Sequence, residues 1–279
     1  MPNTRKWTRQ KQRKARRAMR KFNDNQPEQR TADWHRARLG HFTGSQIVKL
    51  MGTGRKKDDV FSATAITYIF QVASERLLSE KVVEDDEMFW LYIEQVSHTN
   101  RAMQWGIDNE NEARELYEKL RGCEVRELSS VEHESVENYA ASPDGVVEKS
   151  DICVEIKCPK PETAVRYMAN INDGETLKKE MPDYYWQVQA EMDCTGASGC
   201  DFVVYCPFLE KPMHIVRIER NDEAILQINE RISLAEKYIS ENIIKNKNTD
   251  KDDGDNRSCE VGDADTKRDK PKRKGVAKA

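Results

Sequence analysis

Residues 142–159 read SPDGVVEKSDICVEIKCP, and among the acids and lysines of this stretch Asp144, Glu155 and Lys157 stand at suggestive intervals. Asp144 stands between Pro143 and Gly145, residue types that favour a turn. In the apolar run that follows, strand alternation puts Val154 and Ile156 on one face and Glu155 and Lys157 on the other. Pro159 removes a ladder donor and ends the strand. If the turn folds Asp144 back to the same end of the sheet, two carboxylates converge into a hard oxygen site suited to Mg2+ or Mn2+. A lysine beside them can orient or deprotonate a water, or neutralise charge developing on a phosphate. The pattern points to metal-dependent hydrolysis. A surface strand with an i,i+2 ion pair, next to an ordinary turn aspartate, would give the same letters.

Glu110 favours the first reading. In residues 100–122 it shares a helical stripe with Gly106, Ala113 and Tyr117, whereas Glu112, Glu115 and Glu118 fall elsewhere. A carboxylate on a packing face is costly unless it binds metal or pairs with a cation such as a nearby arginine. Downstream, YYWQVQAEM offers Gln187 and Gln189, either of which can bond a water, a base edge or the lysine. Upstream, WHRARLGHFTGSQIVKLM sets Arg38 ahead of Thr43, Gly44 and Ser45 at a helix start. Free N–H groups, a hydroxyl and a guanidinium together suit a phosphate, although Ser45 could be a plain N-cap. GTGRKKDD (52–59) adds Arg55, Lys56 and Lys57 on a glycine loop. It lacks the G-K-[ST] of a P-loop and reads as a backbone-contacting loop or an ordinary solvated one.

The elements that must position these groups follow from periodicity. Helices are expected at 61–78, 100–122 (stopped by Gly122), 161–171, 184–196 and 222–244. The last of these carries Ile225, Ile228, Ile232, Ala235 and Ile239 on one stripe. Residues 84–98 read as a helix or an inserted loop. Strands are expected at 123–128, around Tyr139, and at 152–159, 200–207 and 213–220. Strands with helices on both sides give an α/β core.

The chain has 279 residues, 37% of them hydrophobic and 34% charged, which fits a soluble globular protein with solvated segments. No apolar run is long enough to span a membrane, and no apolar stretch backs the basic N-terminus as in a secretory signal. The net charge is −3, but residues 1–21 hold ten Lys or Arg and no acid, leaving −13 for the rest. An acidic body with a basic arm points to polyanion contact through local patches, or to a solvated tail. Residues 1–30 form a basic arm without hydrophobic periodicity, 31–245 the folded domain, and 246–279 a charged, disordered tail. The cysteines number seven, with no C-x-x-C spacing. The interval of Cys194, Cys200 and Cys206 is too wide for known cluster motifs, so reduced thiols in a cytosolic protein are expected. KRDKPKRK (267–274) reads as a solvated tail before a nuclear address, which keeps the bacterial cytoplasm as the expected location.

Taken in order from about Asp33 to Ile244, these segments resemble the lambda-exonuclease and YqaJ-like viral recombinase family within the PD-(D/E)xK nucleases. The resemblance is carried by WHRARLGHFTGS, NENEARELY, SPDG, VEIKCP, WQVQAEM and the strand ending VRIER. It implies a restriction-endonuclease-like α/β core with a central mixed sheet flanked by helices. It further implies Asp144, Glu155 and Glu110 as metal-ligating acids, with the backbone carbonyl of Ile156, and two Mg2+ ions per site for which Mn2+ can substitute. Lys157 would stand next to the attacking water and Gln187 would support it, with Gln189 as the neighbouring alternative. Arg38 and Ser45 match the family's pocket for the 5′ phosphate; Thr43 and Arg55 are DNA-contact candidates from the residue pattern alone. The implied activity is 5′→3′ degradation of one strand of duplex DNA from its end. It leaves a 3′ overhang for a single-strand annealing partner and is performed by a homo-oligomer, a trimer in the lambda member. The arm, extra residues at 84–96 and the charged tail depart from the family pattern and bear on the oligomer. A PD-(D/E)xK endonuclease and a non-catalytic DNA-binding module of the same fold are the alternatives.

Overall fold

The computed structural model describes residues 27–54, 59–97 and 101–244. Most of the expected arm, the tail from 246, and Arg55 with its neighbours to 58 lie outside the described residues.

In chain order the structure runs α1 (Ala32–Arg38), β1 (Phe42–Thr43), a 3-10 turn (Gly44–Gln46), α2 (Val48–Met51), α3 (Ala63–Glu75), α4 (Glu80–Glu84), α5 (Asp86–Val96) and α6 (Arg101–Arg121). It continues with β2 (Val125–Arg126), β3 (Val131–Glu132), β4 (Tyr139–Ala141), β5 (Gly145–Val147), β6 (Ile152–Lys157), α7 (Pro161–Asn170), α8 (Gly174–Glu180), α9 (Pro182–Thr195), β7 (Gly199–Tyr205), β8 (Met213–Glu219) and α10 (Asp222–Ile239). A π-helical turn at Ser240–Ile244 follows α10, so the last helix is α-helical for a shorter span than its periodicity predicts. Within the stretch read as a helix or an inserted loop, Asp86–Val96 form helix α5, capped by Asp85, whose carboxylate accepts from the Met88 N–H at 2.9 Å.

The main sheet has the order β2-β5-β6-β7-β8. Its central pair, β6 and β7, is parallel, with Ile152 opposite Gly199 and Lys157 opposite Val204, and the flanking pairs are antiparallel. The parallel pair needs a crossover, which α7 to α9 supply. A small second sheet, β1-β4-β3, places Phe42 beside Tyr139. Val154, Ile156 and Cys158 pack with Ala113 and Tyr117 of α6 on one face of the main sheet. Cys153, Cys200, Phe202 and Val204 pack with α3, α9 and α10 on the other. Alternation along β6 therefore sends Glu155 and Lys157 toward α9.

Helix α9 lies at the centre of the molecule. It is buried almost all round, starts on Pro182 and ends at Gly196, whose φ of 73° is left-handed. A helix in that position can carry polar residues only if each finds a partner. Gln189 does so structurally: it donates to the Glu219 carbonyl (3.0 Å) and accepts from the Asn221 N–H (2.8 Å), tying α9 to the β8–α10 junction.

The glycine after Asp144 is needed for space. A Cβ on Gly145 would stand 2.3 Å from Val125 Cγ1 and 3.1 Å from the Arg126 carbonyl oxygen across the β2–β5 pair. Gly145→Ala is expected to cost about 1–3 kcal/mol through this overpacking. A lowered urea midpoint with an unchanged slope would register it.

Candidate active site

At the C-terminal end of β6 a cleft of about 760 Å³ opens between the α6 and α9 faces, with the residues around α1 closing one side. Asp144, Glu155, Ile156, Lys157, Glu110, Gln187, Arg38 and Ser45 all line it, as does Glu191. Segments more than a hundred residues apart in sequence thus contribute to one cavity. Thr43 does not join them. It is buried in β1, where its N–H donates to the Tyr68 hydroxyl at 2.9 Å. Arg55 lies outside the described residues.

Each acid is held differently. Asp144 Oδ2 accepts the Ile156 N–H at 2.7 Å, which pins the SPDG turn to β6. Burial, then Glu155 and Glu110, push its carboxyl well above the usual range, and Lys157 and the Ile156 N–H only partly oppose them. Glu155 is 1% exposed, and its Oε1 accepts from Lys157 Nζ and from Gln187 Nε2, the latter at 2.6 Å. Gln187 Nε2 also donates to Glu191 Oε1 at 2.9 Å. Burial and then the Glu155 carboxylate raise Glu191 well above its ordinary value. Burial pulls the Lys157 ammonium down, but Glu155 and Asp144 outweigh it, so its pKa is raised and the ammonium stays charged. It sits 4.7 Å from the centre of the Tyr184 ring. Glu110 accepts from Arg114 at 2.9 Å and from Arg30 at 2.5 Å, so an arginine pairing does occur at the acid that the helical wheel singled out.

Arg38 donates to Ser142 Oγ at 2.5 Å, and its guanidinium lies 4.2 Å from the Trp34 ring centre. Burial lowers its pKa to about 10 against weaker support from Tyr68, Glu75 and Glu191, and no carboxylate among the described residues forms an ion pair with it. It remains a cation at neutral pH with spare donors for an anion. Ser45 is exposed in the 3-10 turn beside it, and the buried indole N–H of Trp34 has no partner among the described residues.

The donor set fits a hard divalent ion. Asp144, Glu155 and Glu110 converge on the cleft, and Glu155 Oε2 and Glu191 Oε2 are buried oxygens without hydrogen-bond partners among the described residues. Crowded carboxylates that include two unpartnered buried oxygens match the oxygen preference of Mg2+ or Mn2+. Glu191 also lies with Cys153 and Cys200, their ligand atoms within 4.8 Å of one another. Burial and then Cys153 push the Cys200 thiol well up, and both sulfurs lie in the core, so this grouping reads as packing.

Glu191 and Ser142 escaped the sequence reading. The signal for Glu191 was its i,i+4 spacing from Gln187, which puts both on one side of α9. Ser142 opens SPDG, directly before the turn proline.

The sequence matches the profile of the YqaJ-like viral recombinase domain over residues 33–198, more than half of the chain. The chain belongs to this family. Every site residue named above except Arg30 falls within the matched span. LHK-Exo, an alkaline exonuclease from Laribacter hongkongensis, is 28% identical with a TM-score of 0.63, covering 79% of this chain and 98% of that one. It has also been solved in complex with dAMP. A phage-related exonuclease from Haemophilus somnus 129PT is 20% identical with a TM-score of 0.56, covering 74% and 96%, and shares the fold. No curated protein matches the chain. The mixed sheet flanked by helices is therefore the restriction-endonuclease-like α/β fold of this family. No helix among the described residues is long and apolar enough to cross a membrane.

Proposed function

We propose that this chain is a metal-dependent deoxyribonuclease that degrades one strand of duplex DNA from its 5′ end and leaves a 3′ overhang for strand-annealing recombination. The observation that carries this reading is the shared cleft: three acids and Lys157 at one end of β6, with Arg38 and Ser45 in the same cavity. Membership of a viral recombinase family and likeness to an alkaline exonuclease support it. The dAMP complex of that relative is consistent with a nucleotide-sized product site.

In this reading Asp144, Glu155, Glu110 and the Ile156 carbonyl hold the ions, two Mg2+ with Mn2+ as substitute. When bound, the metal supplies Lewis-acid activation of water and neutralises charge on the scissile phosphate. Gln187 fixes the orientation of Glu155 and Glu191. Lys157 presents an ammonium next to the reacting phosphate. Arg38, Ser45 and the Trp34 indole N–H hold the terminal 5′ phosphate, so exonuclease action comes from anchoring an end and needs no base reading. The basic arm adds phosphate contacts that steepen the salt dependence of binding. The reading extends to a ring-forming homo-oligomer, a trimer by family resemblance, working with a single-strand annealing protein in a bacterial cytoplasm.

Duplexes labelled at either end, with and without a 5′ phosphate, and covalently closed circles test this. Loss of the 5′ label first, preference for the phosphorylated end and intact circles are the expected results. Cutting of circles would make the chain an endonuclease. Arg38→Ala should lower the preference for 5′-phosphorylated ends about tenfold, the size of a lost charge-assisted hydrogen bond.

A further inference from the structure

The residues immediately before α1 belong to the cleft, although sequence composition places them with the arm. Gln29 Nε2 donates to the Leu128 carbonyl (2.7 Å) and to the Pro143 carbonyl (3.2 Å), fastening the segment to the residue that precedes Asp144. The Glu28 carbonyl accepts from the Thr31 hydroxyl at 2.7 Å, and Thr31 in turn caps α1 at Trp34. Between these two anchors Arg30 adopts a φ of 70°, a left-handed conformation that a non-glycine residue takes only when its surroundings impose it. The result places its guanidinium 2.5 Å from Glu110 Oε2, inside the cleft.

The two arginines on Glu110 are not equivalent. Arg114 lies one turn along the same helix, its side chain is 9% exposed, and it also binds Glu127. It is a permanent partner for Oε1. Arg30 holds Oε2 from the open side, with its side chain 43% exposed. Only the guanidinium half of this pair is accessible, the Glu110 side chain being 12% exposed, so Arg30 is the partner able to swing out into solvent and be exchanged. A divalent cation arriving at the acids would take the carboxylate and leave a guanidinium free in a cavity that already holds Arg38 and Ser45. Guanidinium groups bind phosphate in bidentate fashion.

We propose that Arg30 is a positioning residue that exchanges partners: it holds Glu110 in the ion-free protein, and it turns to a phosphate of the DNA strand once a divalent ion occupies that carboxylate. This rests on the nuclease reading of the cleft. The exchange couples the two ligands, because a DNA phosphate that draws Arg30 away also opens Glu110 to the ion, and the reverse holds equally.

The test uses the full chain and its Arg30→Ala, Arg30→Lys and Lys160→Ala variants, Lys160 being another cation that lines the cleft. Two quantities are read: Mn2+ binding without DNA by calorimetry, and binding of a 5′-phosphorylated duplex in Ca2+ by anisotropy, with the DNA checked to be intact. Arg30→Ala should bind Mn2+ about threefold more tightly, since an accessible competitor has gone. The same variant should bind the duplex about tenfold more weakly for want of a charge-assisted contact. Arg30→Lys should fall between it and wild type on both measures, and it decides the matter alone if Arg30→Ala does not fold. Mn2+ affinity that is unchanged or weaker, equal tightening in Lys160→Ala, or unchanged duplex affinity would each overturn the exchange. Wild-type protein that neither binds Mn2+ nor degrades linear duplex would remove the nuclease reading itself, an outcome visible without any variant.

Discussion

Lys157→Ala and Asp144→Asn should each lower duplex hydrolysis by about a thousandfold or more, the scale of losing a preorganised electrostatic group, yet shift stability in opposite directions. Lys157 donates to Glu155, a carboxylate 1% exposed whose second oxygen has no partner among the described residues. Removing the ammonium leaves a buried charge without its counterion, which costs about 3 kcal/mol in such pairs. Asp144 is the reverse case. Asparagine keeps an oxygen to accept the Ile156 N–H, while the charge that burial, Glu155 and Glu110 all disfavour disappears. In chelator at neutral pH the melting temperature of Asp144→Asn should therefore exceed that of wild type, and that of Lys157→Ala should fall below it. Nucleotide release from linear duplex and thermal melting by circular dichroism read both axes. Wild-type rates in either variant would remove the assigned chemistry. An Asp144→Asn protein that melts below wild type would show that the carboxylates are not strained against one another.

The groups that could be read from sequence were those whose local pattern conflicts with a structural role. Glu155 and Lys157 interrupt an apolar strand, and Glu110 sits on a packing stripe; both anomalies survive in the fold as cleft residues. Gln187 and Gln189 could not be separated beforehand, because α9 is buried almost all round and its sequence shows no wet face. Only the packing of β8 and α10 against one side of α9 sends Gln189 to the Glu219 carbonyl and leaves Gln187 to the cleft. The same burial hid Glu191. Thr43 was grouped with Ser45 by adjacency, but the two-residue strand β1 turns it to Tyr68 while Ser45 faces the cavity. Strands as short as β1 and β3 have no period to detect and are defined by their partners in space, whereas β2 falls within the strand expected at 123–128. Gln29 and Arg30 lie in a stretch without hydrophobic periodicity. Their place is fixed by backbone carbonyls of residues 128 and 143, which no local pattern reveals.

The same crowding of acids gives the ion-free protein a distinctive response to pH. Burial and neighbouring carboxylates raise both Asp144 and Glu191 above their ordinary values. A raised carboxyl binds more protons folded than unfolded, so its stabilising contribution is complete below the ordinary carboxylate range, about pH 4, and is lost as pH climbs through the folded value. Acids with the opposite shift, such as Asp173 bonded to the Thr176 N–H, lose stability as pH falls and shape the raw curve from the other side. The informative quantity is therefore the difference between wild type and an Asp144→Asn, Glu191→Gln double variant melted in chelator. The stability advantage of the variant should grow from acid to neutral pH. Adding Mg2+ should raise the wild-type midpoint most where the pH is highest, since there the acids are ionised and no proton competes with the metal. The double variant should show little of that gain. A difference that is flat with pH, or a Mg2+ gain equal in both proteins, would place the cation somewhere other than this cleft.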